Sequence, residues 1–257
     1  MKFSSFRDRK RWHHRFVSLT AYNYPTARIL DEMLLDFILV GDSLGMVELG
    51  HPDTTAVTLQ DIVSHTKAVA RGASKIPIVS DLPYKTYETP EAALISSKAL
   101  LEAGAGAVKL EGGDEVLDQV RELTKENIPV MGHLGMLPQH IKEEGGKYCI
   151  KGREAKEAEA LKRQALALEE AGAFAIVLEL VSPPLAKEIS ESLEIPTIGI
   201  GSGPDCDGQV LVFHDLVGLS PWFKPGFAKS RASLASEIRR AVHEYIDETR
   251  GKAAAED

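Results

Sequence analysis

Short apolar runs alternate with longer amphipathic stretches along almost the whole chain, and this alternation constrains the fold more than any other feature. The runs are too short for helices and are apolar on both faces, as is typical of strands in a covered parallel sheet. We predict strands at 16–20, 37–43, 76–81, 105–113, 129–133, 174–179, 196–201 and, as a weak signal, 216–218. Eight such units predict one closed (βα)8 TIM barrel, with an open doubly wound sheet as the alternative fold.

Helix start and stop signals mark the stretches between the strands. Thr58 precedes a segment of helical period and has Asp61 three residues further on, which is the spacing of a capping box. Thr89-Pro90 opens a second helix that Gly104 closes. We predict helices at 24–34, 58–71, 90–103, 115–126, 155–171, 184–193 and 230–249.

The ends of the chain and one long connection differ from this pattern. Met1–Arg15 is basic and lacks the apolar segment and cleavage site of a signal peptide, so we predict a short helix that plugs one end of the barrel. The connection after the fifth strand carries Gly145–Tyr148 and is too long for an ordinary turn, which predicts a lid or binding loop. We expect a single domain over residues 1–257, with a frayed tail at 251–257.

Composition and charge exclude several classes of function. With 44% hydrophobic residues, the chain has enough apolar material for a large core. Its formal net charge of −8 argues against nucleic acid or a membrane surface as a partner. Cys149 and Cys206 are too few for a disulfide framework or a cysteine zinc site. We therefore expect a cytoplasmic protein.

Acidic residues follow three successive strands at their carboxyl ends. Asp42 ends the second strand, Asp81 the third and Glu111 the fourth. Neighbouring barrel strands lie about 4.8 Å apart, so these carboxylates can converge, and a hard divalent cation would relieve their repulsion. An all-oxygen shell with room for water and substrate indicates Mg²⁺. The alternative for each acid is a helix N-cap in the loop that follows.

The fourth strand also carries a lysine on the same face as its acid. Period-two alternation directs Lys109 and Glu111 to one face and Val108 and Leu110 to the other. Burying charged side chains is costly unless they are paired or bind something, so a core has little reason to select them. An ion pair that caps a strand end is the alternative to a functional site.

Later strands end in two further candidates and a glycine-rich turn. Glu179 ends the sixth strand, where apolar neighbours should raise its proton affinity and suit it to general base catalysis; a salt bridge to a loop lysine is the alternative. His133 ends the fifth strand as a hydrogen-bond donor to substrate or as a structural histidine. Gly199–Gly203 is similar to a barrel phosphate-binding corner, but glycine serves a tight turn equally well, and we assign no phosphate.

A cation, a base and a lysine at one mouth indicate proton removal beside a carbonyl group. A carboxylate alone is too weak a base to deprotonate a neutral carbonyl compound. A metal that holds the carbonyl and an adjacent carboxylate would stabilise the resulting enolate by several kcal/mol. The substrate class is then an α-keto acid.

Several longer segments, within about residues 16–229, resemble the ketopantoate hydroxymethyltransferase family. The most specific are V-G-D-S-L-G-M at 40–46 and K-L-E-G-G at 109–113, accompanied by L-T-A-Y at 19–22, D-L-P at 81–83, G-H-L-G at 132–135 and D-G-Q-V-L-V at 207–212 with His214-Asp215. The resemblance implies a Mg²⁺-dependent, aldol-type transfer of a one-carbon unit from 5,10-methylenetetrahydrofolate to 3-methyl-2-oxobutanoate. The product would be 2-dehydropantoate, in pantothenate biosynthesis.

The resemblance also implies roles for individual residues. Asp42 and Asp81 match the family's metal ligands, with Glu111 as a direct or outer ligand. Glu179 matches the general base, and His133 matches a substrate-side donor. The positions that match the family's keto-acid contacts are Asp42, Ser43, Asp81 and Lys109.

Three positions depart from the family pattern. Asn23 stands where aspartate is usual, Ser202 where alanine is usual, and Gly226 near a position where a basic residue is common. These changes bear on the rim and the folate side rather than on the metal or the base.

The resemblance further implies that folate enters near the long loop and that the protein forms a ring-like homo-oligomer, often a decamer. Two other functions stay open at this point. One is a carbon–carbon lyase of the isocitrate lyase-like or phosphonopyruvate type, although the K-K-C-G-H segment typical of those enzymes is absent from this sequence. The other is a catalytically silent barrel that serves binding or assembly.

Overall fold

Eight parallel strands close into a barrel in sequence order, which confirms the predicted (βα)8 architecture. The computed structural model describes residues 3–143, 145–222 and 225–254. The strands are β1 (Phe16–Thr20), β2 (Phe37–Val40), β3 (Ile78–Asp81), β4 (Ala107–Lys109), β5 (Val130–Gly135), β6 (Ala175–Glu179), β7 (Thr197–Ile200) and β8 (Gly208–Leu211).

Helices occupy most of the connections between the strands, as predicted. The α-helices of the described residues are α1 (Phe6–Arg11), α2 (Tyr24–Leu30), α3 (Leu44–Val47), α4 (Leu59–Gly72), α5 (Pro90–Glu102), α6 (Leu117–Lys125), α7 (Ala155–Glu170), α8 (Pro183–Ser192), α9 (Phe213–Val217) and α10 (Leu234–Ala254). Short 3-10 turns lie at Phe3–Ser5, Thr54–Ala56, Asp114–Val116 and Pro138–His140. None of the described helices has the length and apolarity needed to cross a membrane.

The predicted helix caps are present, but two helices have other ends than predicted: α2, and α10, which is Leu234–Ala254 rather than 230–249. Thr58 and Asp61 form the reciprocal capping box of α4. Helix α2 ends at Leu30 rather than at residue 34. The next residue, Asp31, directs its carboxylate to the N–H groups of Lys75 and Ile76 ahead of β3, at 2.8 and 3.1 Å. Asp31 therefore links the end of one helix to the start of a strand.

The predicted position of the eighth strand is wrong. The strand is Gly208–Leu211, whereas residues 213–217 form α9, which ends at Gly218 in the left-handed conformation with φ of 66°. A glycine opens β8 because a Cβ atom at Gly208 would lie 2.6 Å from the carbonyl oxygen of Phe16 on β1. Because β8 begins with this glycine, it lacks the apolar run by which the other strands were predicted.

The amino-terminal helix plugs one end of the barrel, as predicted. Phe6 on α1 is fully buried, and its ring centroid lies 4.7 Å from that of Phe16 at the start of β1. Phe3 lies 4.7 Å from Phe174, the residue before β6. These aromatic contacts close the end formed by the amino termini of the strands, so the opposite end forms the mouth.

Clustering of the backbone divides the chain into two compact units, Met1–Val210 and Leu211–Asp257. The first contains β1 to β7 and β8 up to Val210, and the second begins with Leu211 and contains α9 and α10. The expectation of a single domain therefore stays a prediction. Helix α10 extends to Ala254, past the start of the expected frayed tail, and residues 255–257 lie outside the described residues.

Candidate active site

The carboxyl ends of β2, β3 and β4 bring the predicted acids and the lysine together. Asp81 and Lys109 are register partners on adjacent strands, and Lys109 Nζ lies 3.0 Å from Asp81 Oδ2. The same carboxylate oxygen accepts a hydrogen bond of 3.1 Å from the backbone N–H of Asp42. Lys109 Nζ also lies 3.9 Å from Glu111 Oε1, so the two side chains meet as predicted, although β4 ends at Lys109 and Glu111 lies two residues beyond it rather than on the predicted strand 105–113.

Burial and mutual repulsion control the charges of this group. Burial, together with the charges of Asp81 and Glu111, raises the pKa of Asp42 well above its usual range. Burial also raises the pKa of Asp81, although the Lys109 ammonium opposes it. Burial alone would lower the pKa of Lys109, but the surrounding carboxylates outweigh it and raise that pKa. Lys109 is therefore protonated. The two aspartates have too little positive charge around them to offset the effect of their burial.

Glu111 has protein contacts at both of its carboxylate oxygens. Oε1 lies 3.3 Å from His133 Nδ1, and Oε2 accepts a hydrogen bond of 3.0 Å from the backbone N–H of Gln139. Burial acts to raise the pKa of Glu111, but the charge and hydrogen bond of His133, with Lys109 and Gln139, outweigh it and lower the pKa. Glu111 is thus ionised, and hydrogen bonds and ion pairs fix its carboxylate. Its role as a direct metal ligand stays a prediction.

His133 lies between the acidic group and the candidate base. Its Nε2 atom is 3.4 Å from Glu179 Oε2, an ion-pair distance without hydrogen-bond alignment. Burial and the charge of Lys109 both act to lower the pKa of His133, but the carboxylates of Glu111 and Glu179 outweigh them and raise it to about 9. A protonated His133 therefore connects the two sides of the mouth.

Glu179 ends β6 on a tightly constrained backbone. Its carbonyl oxygen accepts a hydrogen bond of 2.8 Å from the N–H of Met136, and a Cβ atom at Gly135 would collide with that oxygen. The next residue, Leu180, has φ of 49°, an unfavourable conformation for a branched side chain. The carboxylate of Glu179 is 13% exposed, so it is sheltered but reachable from the mouth.

Ser43, predicted as a substrate contact, lies beside the same group. Its hydroxyl is 2.8 Å from the hydroxyl of Tyr22, a buried phenol whose pKa is raised by burial. A Cβ atom at Gly41 would lie 3.0 Å from Ser43 Oγ and 3.5 Å from Asp81 Oδ2. The glycine therefore keeps open the space that the serine and the aspartate share.

The long connection after β5 is anchored at both ends to loops and strand ends near this group, and its role as a lid or binding loop stays a prediction. Lys142 Nζ lies 2.7 Å from Thr55 Oγ1 and 3.1 Å from Asp53 Oδ2. At the other end, the N–H of Lys151 donates to the carbonyl of Leu180. Between these anchors, the hydroxyl of Tyr148 donates to Met46 Sδ at 3.9 Å, and burial with the charges of Glu179 and Asp42 raises the pKa of this phenol.

Sequence reasoning missed Gln139, which belongs to the same cluster. It lies in the 3-10 turn after β5 and is 1% exposed. Its side-chain amide donates to Asp42 Oδ2 at 2.8 Å and accepts from the hydroxyl of Tyr87 at 2.6 Å. A glutamine and a tyrosine in loops carry no periodic signal, and nothing in their spacing indicated the site.

Hydrogen bonds explain two of the three departures from the family pattern, Asn23 and Ser202, and the third, Gly226, lies beside open space. Asn23 caps α2 by accepting from Thr26 N at 3.0 Å, and its amide donates to Glu48 at 3.3 Å, which an aspartate could not do. A Cβ atom at Gly226 would meet nothing within 4 Å.

Ser202 is fully buried, and its hydroxyl links two backbone groups on either side of Glu179. It donates to the carbonyl of Leu178 at 2.7 Å and accepts from the N–H of Val181 at 2.9 Å. The adjacent Gly201 and Gly203 have φ of 67° and 83°, so the glycines of this turn serve a tight backbone.

The donor set fits Mg²⁺. The carboxylates of Asp42, Asp81 and Glu111 share this space with Lys109, and the buried Oδ1 atom of Asp81 has no hydrogen-bond partner in the described structure. Among the described residues, no three His, Cys, Asp or Glu side chains already surround a common point. Mg²⁺ needs only one or two carboxylates, because it retains water and takes substrate oxygens. Asp42 and Asp81 would supply these two.

Comparison with known proteins agrees with this arrangement. The model of the family described as ketopantoate hydroxymethyltransferase matches residues 1–254. Proteins named 3-methyl-2-oxobutanoate hydroxymethyltransferase from Thermus thermophilus and Pyrobaculum arsenaticum are each 52% identical to this chain. The two matches cover 92% and 93% of this chain, and each covers 90% of the relative.

Similarity to solved structures concerns the fold alone. A phosphonopyruvate hydrolase structure with oxalate and Mg²⁺ gives a TM-score of 0.66 at 15% identity, over 98% of this chain and 88% of the other. A 2,3-dimethylmalate lyase gives 0.64 at 15% identity, over 94% and 86%. The barrel is thus shared with lyases and hydrolases, but the match along the sequence is not, and this chain belongs to the ketopantoate hydroxymethyltransferase family.

Proposed function

We propose that this protein is a 3-methyl-2-oxobutanoate hydroxymethyltransferase. It would transfer a hydroxymethyl group from 5,10-methylenetetrahydrofolate to 3-methyl-2-oxobutanoate and yield 2-dehydropantoate, a step of pantothenate biosynthesis. Family membership over nearly the whole chain supports the reaction. The observation that carries it is geometric: a buried carboxylate and lysine group faces a separate carboxylate, Glu179, across His133.

Asp42 and Asp81 are the residues that would hold Mg²⁺. When bound, this ion supplies a positive charge next to the keto oxygen, which makes the C3 hydrogen more acidic. The protein contributes the fixed placement of the two carboxylates, since Lys109 and Gln139 each contact one of their oxygens. The other oxygen of Asp81 is left without a hydrogen bond and is available as a ligand.

Lys109 and Ser43 would bind the keto acid. The buried ammonium of Lys109 balances the negative charge that a substrate carboxylate adds. Ser43 Oγ, held by the Tyr22 hydroxyl, would donate a hydrogen bond to the substrate from the rim of the same pocket.

Glu179 would remove the proton from C3, and C3 of the resulting enolate would form the new carbon–carbon bond to the one-carbon unit of the folate. The two bonds from that carbon to the folate nitrogens break, one water molecule supplies the hydroxyl oxygen, and tetrahydrofolate leaves. The protonated His133 forms an ion pair of 3.4 Å with the Glu179 carboxylate without hydrogen-bond alignment, so the carboxylate is not fixed by it and can still accept a proton. Folate would enter near the long connection, where the charges of Glu179 and Asp42 act on Tyr148.

An assay for hydroxymethylated keto acid tests this proposal. Purified protein with Mg²⁺, 3-methyl-2-oxobutanoate and methylenetetrahydrofolate should form 2-dehydropantoate, detected by mass spectrometry, and excess chelator should abolish the product. The analogue 3,3-dimethyl-2-oxobutanoate is the matched control, because it lacks a C3 hydrogen and should give no product. Absence of product from the natural keto acid at any Mg²⁺ concentration would refute the function.

Two broader expectations stay predictions. The acidic composition and the two unpaired cysteines support a cytoplasmic location. The family resemblance supports a ring-like homo-oligomer, often a decamer.

A further inference from the structure

Gln139 makes the most extensive set of polar contacts in the acidic group, although it carries no charge. Its side-chain nitrogen donates to Asp42 Oδ2 at 2.8 Å and to the carbonyl of Leu82 at 2.9 Å. Its backbone N–H donates to Glu111 Oε2 at 3.0 Å. One buried residue therefore contacts acids that follow two different strands.

The orientation of this amide is determined by its neighbours. The Leu82 carbonyl can only accept, so the atom facing it must be the nitrogen. The Tyr87 hydroxyl is 2.6 Å from the amide oxygen and 3.2 Å from the carbonyl of Glu111, and both are acceptors for its single hydrogen. The amide nitrogen is thus directed at Asp42 by the Leu82 carbonyl and the Tyr87 hydroxyl. Gln119 on α6 contacts only the backbone carbonyls of Tyr87 and Glu88, at 3.1 and 3.4 Å.

We propose that Gln139 is a positioning residue that sets the orientation of Asp42 relative to Glu111. It occupies Oδ2 of Asp42 and thereby sets the rotation of the carboxylate that would present Oδ1 to a cation. Two acids that repel each other need such a neutral donor, because a second cation beside Lys109 would compete with a bound metal ion. The inference rests on the proposed function only where it concerns Mg²⁺; the orientation itself is a property of the protein alone.

The first test is the structure of a Gln139→Met variant in crystals grown without metal. Methionine has a similar length but cannot donate to Asp42. We expect the Asp42 carboxylate to turn away from its present position. Glu111, which is held by the backbone N–H of residue 139, should stay in place as an internal control. An unmoved Asp42 carboxylate would overturn the inference whatever the protein catalyses.

The second test is calorimetric titration of Mg²⁺ into the metal-free protein. Partners that orient a metal ligand typically change affinity by about 10- to 100-fold, and we expect a loss in this range for Gln139→Met. Gln119→Met is the matched control, because it removes hydrogen bonds from the same network without touching a carboxylate. Its unfolding temperature should fall, but its Mg²⁺ affinity should not change.

The outcomes separate the inference from the proposed function. Equal Mg²⁺ affinity of Gln139→Met and wild type would overturn the role of Gln139. Failure of wild type to bind Mg²⁺ would count against the proposed metal site, and the crystal structure would still decide the positioning role. If Gln139→Met does not fold, Tyr87→Phe releases the amide oxygen while retaining the glutamine. It should weaken Mg²⁺ binding by a smaller factor, and unchanged affinity would overturn the proposal.

Discussion

The two sides of the barrel mouth hold their carboxylates by different means. On the β2 to β4 side, Asp42, Asp81 and Glu111 are almost fully buried and are fixed through their side-chain oxygens. On the β6 side, the carboxylate of Glu179 is partly exposed, and what is fixed is its backbone. The β2 to β4 side therefore immobilises the carboxylates themselves, whereas the β6 side immobilises only the backbone that carries the carboxylate.

This difference follows from what each side would have to do. Clustered anions that bind a cation must keep one geometry against mutual repulsion, so every spare oxygen benefits from a donor. A proton acceptor must instead gain and lose a proton and shift slightly as it does so. A rigid backbone at Glu179 with the strained Leu180 beside it limits that movement without occupying the carboxylate.

The largest expected effect separates the two sides directly. Glu179→Gln should lower kcat by about 10²- to 10⁴-fold, because the amide cannot accept the C3 proton. Exchange of the C3 hydrogen of the keto acid into D₂O, followed by NMR, should stop. Mg²⁺ affinity measured by calorimetry should not change, because the substitution lies outside the acidic group.

Asp81→Asn is the reciprocal control for that comparison. It should weaken Mg²⁺ binding by more than the roughly 10- to 100-fold typical of outer-sphere partners. Loss of Mg²⁺ binding in Glu179→Gln, or undiminished C3 exchange, would show that the two sides do not have separate roles.

The second prediction concerns His133, which connects the sides. Its pKa in the folded protein is raised to about 9 from an ordinary 6.5, so the charged form stabilises the fold. This contribution is complete below about pH 6.5 and is lost as the pH rises through 9. Unfolding of the metal-free protein by urea should therefore show a free energy that falls across this range by at most about 3 kcal/mol.

His133→Asn supplies the reference curve for this measurement. Its stability should lack this slope, so the difference from wild type should shrink between pH 6.5 and 9.5. Parallel curves would mean that His133 is not protonated in the fold and does not link Glu111 to Glu179.

The same comparison explains what could be predicted from the sequence. Asp42, Asp81, Lys109 and Glu179 were found because each ends an apolar run, and closure of a parallel barrel gathers strand ends at one mouth. The positions of residues on loops cannot be predicted in this way. Gln139 reaches the site through a turn whose path depends on tertiary contacts rather than on any local period.

Strand β8 was misplaced for a related reason. A strand is recognised by its apolar side chains, but Gly208 is required by a close approach to β1 that only the assembled barrel reveals. The capping box of Thr58 and Asp61, in contrast, is complete within four residues and was predicted correctly. Features set by neighbours in the chain, or by the regular geometry of a barrel, could be predicted, whereas features set by individual contacts in space could not.

The smallest expected effect tests how the backbone at Glu179 is held. Ser202→Ala removes a hydroxyl that bridges Leu178 and Val181, and it leaves the buried N–H of Val181 without this acceptor. We expect a loss of stability of about 1 to 2 kcal/mol in urea denaturation. The decrease in kcat should be less than about tenfold, since a displaced base loses only part of the effect of general base catalysis. Mg²⁺ affinity should not change.

Ser190→Ala is the matched control for Ser202→Ala, because Ser190 is also buried and hydrogen-bonded but lies on α8 against Thr197, away from the mouth. It should lose similar stability while keeping the wild-type kcat. If both variants lose stability and neither loses rate, the Ser202 hydroxyl supports the fold only, and the position of Glu179 is maintained by Gly135 and Leu180 alone. A selective loss of rate in Ser202→Ala would show that the backbone of the base side, like the side chains of the acidic side, is part of the catalytic arrangement.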